Sequence, residues 1–204
     1  MIIACLAAAT GWLFVTNGSL ADEKPAGKKQ TAEKQADKES APPEVGDTVE
    51  DFELRTLKDE PVQLSKLVPD GPVVVIALRG FPGYQCPLCN RQVGQFLSKA
   101  GEFEAAKARI VLIYPGPADA LGEHAQEFLK DMSLPDNVFF VTDPDYTFTN
   151  AWSLRWDARN ETAYPSTFVV DDKLVVRFAK ISKSHGDRSK PEDVLKALTD
   201  RAAR

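Results

Sequence analysis

The sequence predicts an α/β domain in which a central mixed sheet is flanked by helices. Three observations carry this reading. The runs "PVVVIALRG" (72–80), "RIVLIYPG" (109–116) and "NVFFVTD" (137–143) are continuous and β-branched, as strands buried on both faces are. Between them lie stretches with apolar residues at three-and-four spacing, the signature of amphipathic helices. Near the end, "STFVVDD" (166–172) and "KLVVRFAKI" (173–181) read as a hairpin turning around Asp172. Strands alternating with helices place the chain among layered α/β domains.

Taken in order, the chain opens with 21 residues free of charged side chains, "MIIACLAAATGWLFVTNGSLA". Residues 2–15 have the length of a signal-peptide core, and Ser19, Leu20 and Ala21 offer small residues at a cleavage site. The expectation is export to the periplasm or the cell exterior with residues 1–21 removed. An uncleaved membrane anchor is the main rival, since about 20 uncharged residues just span a bilayer. Residues 22–44 carry no aliphatic side chain larger than alanine and nearly balanced charge, so they predict a disordered linker. The folded domain is expected over residues 45–204, which is ample for one full core.

Within that domain, "DFELRTL" (51–57) and "PVQLSKL" (61–67) predict two short strands around a turn at residues 58–61. After the first long strand, Cys89, Val93, Phe96, Leu97, Ala100 and Phe103 share one helical face. "ADALGEHAQEFLKDM" (118–132) is a second amphipathic helix, a short helix is expected over 146–154, and residues 190–204 close the chain as a helix. The formal charge of −5 gives no reason to expect nucleic acid or an anionic membrane surface as a partner.

Chemistry concentrates in "FPGYQCPLCNRQV" (81–93), because Cys86 and Cys89 stand three apart where a strand gives way to a helix. Cys86 fits the N-cap and Pro87 the first helical position, where the missing N–H costs nothing. Free N–H groups and the helix dipole stabilise thiolate there. This geometry favours Cys86, at an exposed tip, as attacker and Cys89 as its sheltered partner. A metal site is the weaker reading, since no second cysteine pair exists and His185 would have to serve as third ligand for copper. An inert structural disulfide is the third. His124, flanked by Glu123 and Glu127, is expected to be a solvated surface residue. Arg79, ending the buried strand, is a candidate thiolate-stabilising cation, against the plainer alternative of an ion pair.

From Val45 to about Ala197 the chain resembles the thioredoxin-fold redoxins of the alkyl hydroperoxide reductase/thiol-specific antioxidant family. "VGDTVEDFELRTL" and "PVQLSKL" are similar to that family's opening hairpin, and "FPGYQCPLC" to its active-site turn. "TDPDYTFTNAWSL" resembles its late turn and helix, and "YPSTFVVDDKLVVRFAKISKSHGDR" its closing hairpin. The resemblance implies a thioredoxin-like fold and a thiol oxidoreductase with Cys86 and Cys89 cycling between dithiol and disulfide. It implies no organic cofactor, a peroxide or protein-disulfide substrate, and a separate thiol protein as electron donor.

Two branches of that family give opposite roles to the two cysteines. Laid on the peroxiredoxin pattern, Pro82 matches the family's proline, Cys86 takes the place of its threonine, and Cys89 takes the peroxidatic place. The thioredoxin-like reductases attack with the first cysteine, here Cys86. The arginine that peroxiredoxins place before the "FVVD"-type strand is missing; Tyr164, Pro165, Ser166 and Thr167 stand there. Arg155 and Arg159 are candidate substitutes. Pro165 resembles the cis-proline of thioredoxins, with Tyr164 beside it, although Gln85 replaces their tryptophan before the first cysteine.

Overall fold

A computed structural model describes residues 41–202. The expectations for the leader (1–21) and for most of the linker (22–44) therefore lie outside the described residues. Among the described residues, no helix is long and apolar enough to cross a membrane.

Seven strands form one mixed sheet in the order β2-β1-β5-β4-β3-β6-β7. In chain order they are β1 (Glu53–Thr56), β2 (Pro61–Gln63), β3 (Val73–Ala77), β4 (Arg109–Gly116), β5 (Val138–Pro144), β6 (Ser166–Val170) and β7 (Val176–Ile181). The helices are α1 (Leu64–Leu67), α2 (Pro87–Ser98), α3 (Ala100–Ala105), α4 (Leu121–Leu129), α5 (Thr147–Ala151) and α6 (Pro191–Ala202). The three β-branched runs are the central parallel strands: β3 pairs with β4, and β4 with β5. The hairpin of β6 and β7 adds antiparallel to the other edge of β3. Alternation along the strands then divides the core. Val74, Ile76, Ile110, Leu112 and Tyr114 face the layer of α2, α3, α4 and α6. Val73, Val75, Ala77, Val111 and Ile113 face the layer of α1 and α5. The α/β class with a mixed, helix-flanked sheet is what the sequence predicts.

Three local expectations are corrected. "PVQLSKL" yields only a three-residue strand before turning helical at Leu64. The Asp51 carboxylate causes this, accepting hydrogen bonds from the Ser65 N–H at 2.8 Å, the Ser65 hydroxyl and Gln63 Nε2. The turn buries Leu64 and Val68 four residues apart on one core face. The helix after the cysteines is interrupted at Lys99 and resumes as α3, with Phe96 and Phe103 stacked across the break at 5.6 Å. The late helix is only the five residues of α5, because Asp143 takes the N–H groups of Phe148 and Thr149 and fixes where it begins.

Gly80 positions the site. Its φ is +70°, and a Cβ there would lie 1.9 Å from the Pro115 carbonyl oxygen of β4. Only glycine lets the chain leave β3 this close to its neighbour and turn into the cysteine loop.

Candidate active site

Cys86 occupies the N-cap of α2 with extended backbone (φ −76°, ψ 109°), and Pro87 opens the helix. Both cysteines are free thiols. Cys89, one turn in, is fully buried among Val93, Phe96 and the strands beneath. Cys86 is also buried, at 2% exposure, which corrects the expectation of an exposed tip. The reason lies in Phe81 and Gln85, which reach down onto α4. Phe81 stacks on His124 with ring centres 3.5 Å apart, and Gln85 Nε2 donates to the His124 carbonyl at 2.8 Å and to Glu127. Gln85 Oε1 accepts from the buried Tyr114 hydroxyl at 3.0 Å. His124 is thus a support of the cysteine loop rather than a solvated surface residue.

The electrostatics separate the two sulfurs. The Cys89 thiol donates to the Cys86 sulfur, and this bond is the largest cause of a Cys86 pKa well below the usual thiol range. Burial opposes it, while the N–H groups of Cys89 and Leu88 and the Arg188 guanidinium add to it. Burial pushes Cys89 the other way, well above the usual range, and its donation to Cys86 adds to that. Thiolate is therefore favoured at Cys86 and thiol at Cys89.

The cation beside the thiolate is Arg188, which the sequence did not single out. Its Nη2 lies 3.8 Å from Cys86 Sγ, its Nη1 donates to the buried Gln92 Oε1 at 2.8 Å, and its Nε donates to the His185 carbonyl at 2.8 Å. Arg188 lies within the "SKSHGDR" segment, yet 102 positions separate it from Cys86. Only the docking of the loop after β7 against α2 brings the two together. No periodicity or spacing signals that contact.

The arginines that the sequence did nominate do other work. Arg79 is buried and donates from Nε to Glu161 at 2.7 Å, from Nη1 to Tyr84 and from Nη2 to the Asn160 carbonyl. Its side chain makes the ion pair of the plainer alternative, while its backbone N–H bonds the Cys89 sulfur. Arg155 lies over the Tyr146 ring at 4.0 Å and donates to the carbonyls of Trp156 and Thr162. Arg159 is exposed in the turn that follows.

The peptide bond before Pro165 is trans, as are all peptide bonds among the described residues, so the cis-proline expectation is corrected. Pro165 is buried at the start of β6, where its carbonyl accepts the Ser182 N–H at 2.9 Å. Tyr164 stacks on Trp156 at 4.6 Å. Pro82 is half-buried in the cysteine loop. His185 bonds Glu161 through Nε2 at 2.9 Å. Among the described residues, no group of three or more histidine, cysteine or acidic side chains could hold a metal ion. The copper reading with Cys86, Cys89 and His185 finds no support.

A cysteine at a helix N-cap with its thiolate favoured, a buried partner thiol and a mixed sheet of this order define a thioredoxin-like thiol protein. The redoxin family model matches residues 44–198, and the chain belongs to that family. Two Mycobacterium tuberculosis proteins, provisionally named peroxiredoxins in strains CDC 1551 and H37Rv, are 35% identical over 82 residues. The match covers 40% of this chain, and the chain spans about half the length (51%) of these curated relatives. Among solved structures, a peroxidoxin of Mycobacterium tuberculosis superimposes with a TM-score of 0.62 at 27% identity, covering 79% of this chain and 99% of its own. A peroxiredoxin-like protein from Aquifex aeolicus has a TM-score of 0.63 at 15% identity, covering 79% and 90%, which shows the shared fold.

Proposed function

We propose that this protein is a thiol-dependent peroxidase in which Cys86 attacks and Cys89 resolves. The observation that carries the reading is the opposite treatment of the two sulfurs, with thiolate favoured at Cys86 and thiol at Cys89. Cys86 thiolate attacks the terminal oxygen of a hydroperoxide, the O–O bond breaks, and the alcohol or water leaves after taking up a proton. Cys86 is then a sulfenic acid. Cys89 sulfur, losing its proton, displaces hydroxide from Cys86, so a disulfide and water form. Two electrons from an external thiol donor restore the dithiol. Relatives named as peroxiredoxins support this class of reaction.

Burial argues for a peroxide over a protein disulfide as oxidant. A cysteine only 2% exposed admits a small hydroperoxide far more readily than the in-line approach of a partner's disulfide. A thiol donor is needed for re-reduction, and export by residues 1–21 would place that donor outside the cytoplasm.

The test is hydrogen peroxide turnover coupled to a dithiol. Wild type turns over, Cys86→Ser is inactive, and Cys89→Ser consumes one equivalent of peroxide per chain in a burst without forming the disulfide. Insulin reduction with no peroxide consumption by the wild type would overturn the reading in favour of a disulfide reductase.

A further inference from the structure

We propose that His185 and Glu161 are positioning residues for Arg188, clamping the loop of residues 182–189 so that its guanidinium stays over Cys86. The inference rests on Cys86 being the attacking thiolate.

A chain of bonds leads from one sulfur to the other. The Arg79 backbone N–H bonds Cys89 sulfur, and the Arg79 side chain holds one oxygen of Glu161 at 2.7 Å. The second oxygen of Glu161 holds His185 Nε2 at 2.9 Å. The His185 carbonyl accepts Arg188 Nε at 2.8 Å, and Arg188 Nη2 stands 3.8 Å from Cys86 Sγ. Glu161 is 11% exposed and Arg79 3%, so this is an interior pair whose carboxylate orientation is set by two partners at once.

The loop needs such a clamp. "SKSHGD" carries no apolar side chain and includes Gly186, so packing cannot hold it. Its ends are fixed by the Ser182 N–H to the Pro165 carbonyl and by the buried bond of Ser189 to Thr167. Between them, Asp187 pairs with Lys180 at the surface, where both side chains are more than a third exposed and such a pair holds little. His185 is the side chain in this stretch that reaches the half-buried Glu161, and its ring also lies 5.2 Å from that of Trp156. Because His185 offers its carbonyl to Arg188, fixing the imidazole fixes the height and direction of the guanidinium. Gln92 alone then has to hold the other edge.

The experiment is the pH profile of iodoacetamide alkylation at Cys86, located by tandem mass spectrometry, in reduced full-length protein. An opposite charge this close lowers a thiol pKa by roughly one unit or more. His185→Ala should therefore raise the midpoint by roughly one unit, as Arg188→Ala does. The double variant should move no further than Arg188→Ala alone, since His185 acts through Arg188. His185→Gln, which keeps a donor for Glu161, should stay near wild type. A wild-type midpoint in His185→Ala, a His185→Gln midpoint raised as far as that of His185→Ala, or additive shifts in the double variant would each overturn the clamp and leave the function standing. Alkylation falling on Cys89 in the wild type would instead overturn the reading of Cys86 itself. His185 is 40% exposed, so its substitution leaves the core intact, and urea melts of each variant verify this.

Discussion

At the residue scale, two cysteines with the same covalent chemistry are made unequal by three residues of chain. Cys86 sits where backbone N–H groups are unspent, and Cys89 sits one turn inside, where its proton has one good acceptor. The strongest influence on Cys86 is that donated hydrogen bond, which leads to a specific expectation. Cys89→Ser keeps a donor and should hold the Cys86 alkylation midpoint near wild type, whereas Cys89→Ala should raise it by roughly one unit. Stopped-flow alkylation across pH checks this, and equal midpoints in the two variants would contradict it. The helix-start geometry was legible in "QCPLC", because proline after a cap residue has few other readings. Burial of Cys86 was not legible. It depends on Phe81 and Gln85 reaching α4, about 40 residues further along the chain.

At the element scale, the strands and their partners carry the site to one end of the sheet. Gly80, three residues past the end of β3, turns the chain where β4 passes closest, and the cysteine loop follows from that turn. Gly80→Ala should destabilise the protein by about 2–3 kcal/mol through the left-handed φ and the clash with the Pro115 carbonyl. Urea unfolding measures this, and an unchanged midpoint would show that the turn relaxes without cost. The long β-branched runs announced β3, β4 and β5 because strands buried on both faces leave no room for polar residues. The short elements were harder to read. "QLSKL" has strand-like alternation, but a carboxylate twelve to fourteen residues earlier on Asp51 redirects it into a helical turn. Tertiary hydrogen bonds of this kind leave no local trace.

At the scale of the whole molecule, the site is assembled from segments that meet only through the sheet topology: the β3 exit, α2, the loop before β6 and the loop after β7. Family resemblance supplied the fold and the motif, yet it nominated Arg155 and Arg159, and strand position nominated Arg79, while the fold delivers Arg188. The thiol energetics also reach global stability. The folded pKa of Cys86 lies below its unfolded value of about 8.5, so its contribution is complete above that pH and is lost as pH falls through the folded value. Cys89, raised when folded, contributes fully below about 8.5 and loses that contribution as pH rises through its folded value. Urea melts of the reduced protein should therefore show wild type gaining on Cys86→Ser as pH rises from about 6 toward about 8.5. A constant difference across that range would contradict the assignment. The most direct measurement is the site of alkylation when reduced wild-type protein meets less than one equivalent of iodoacetamide near pH 6. Tandem mass spectrometry should find the label on Cys86 with Cys89 unmodified; label on Cys89 would contradict the claim that Cys86 is the attacking thiolate.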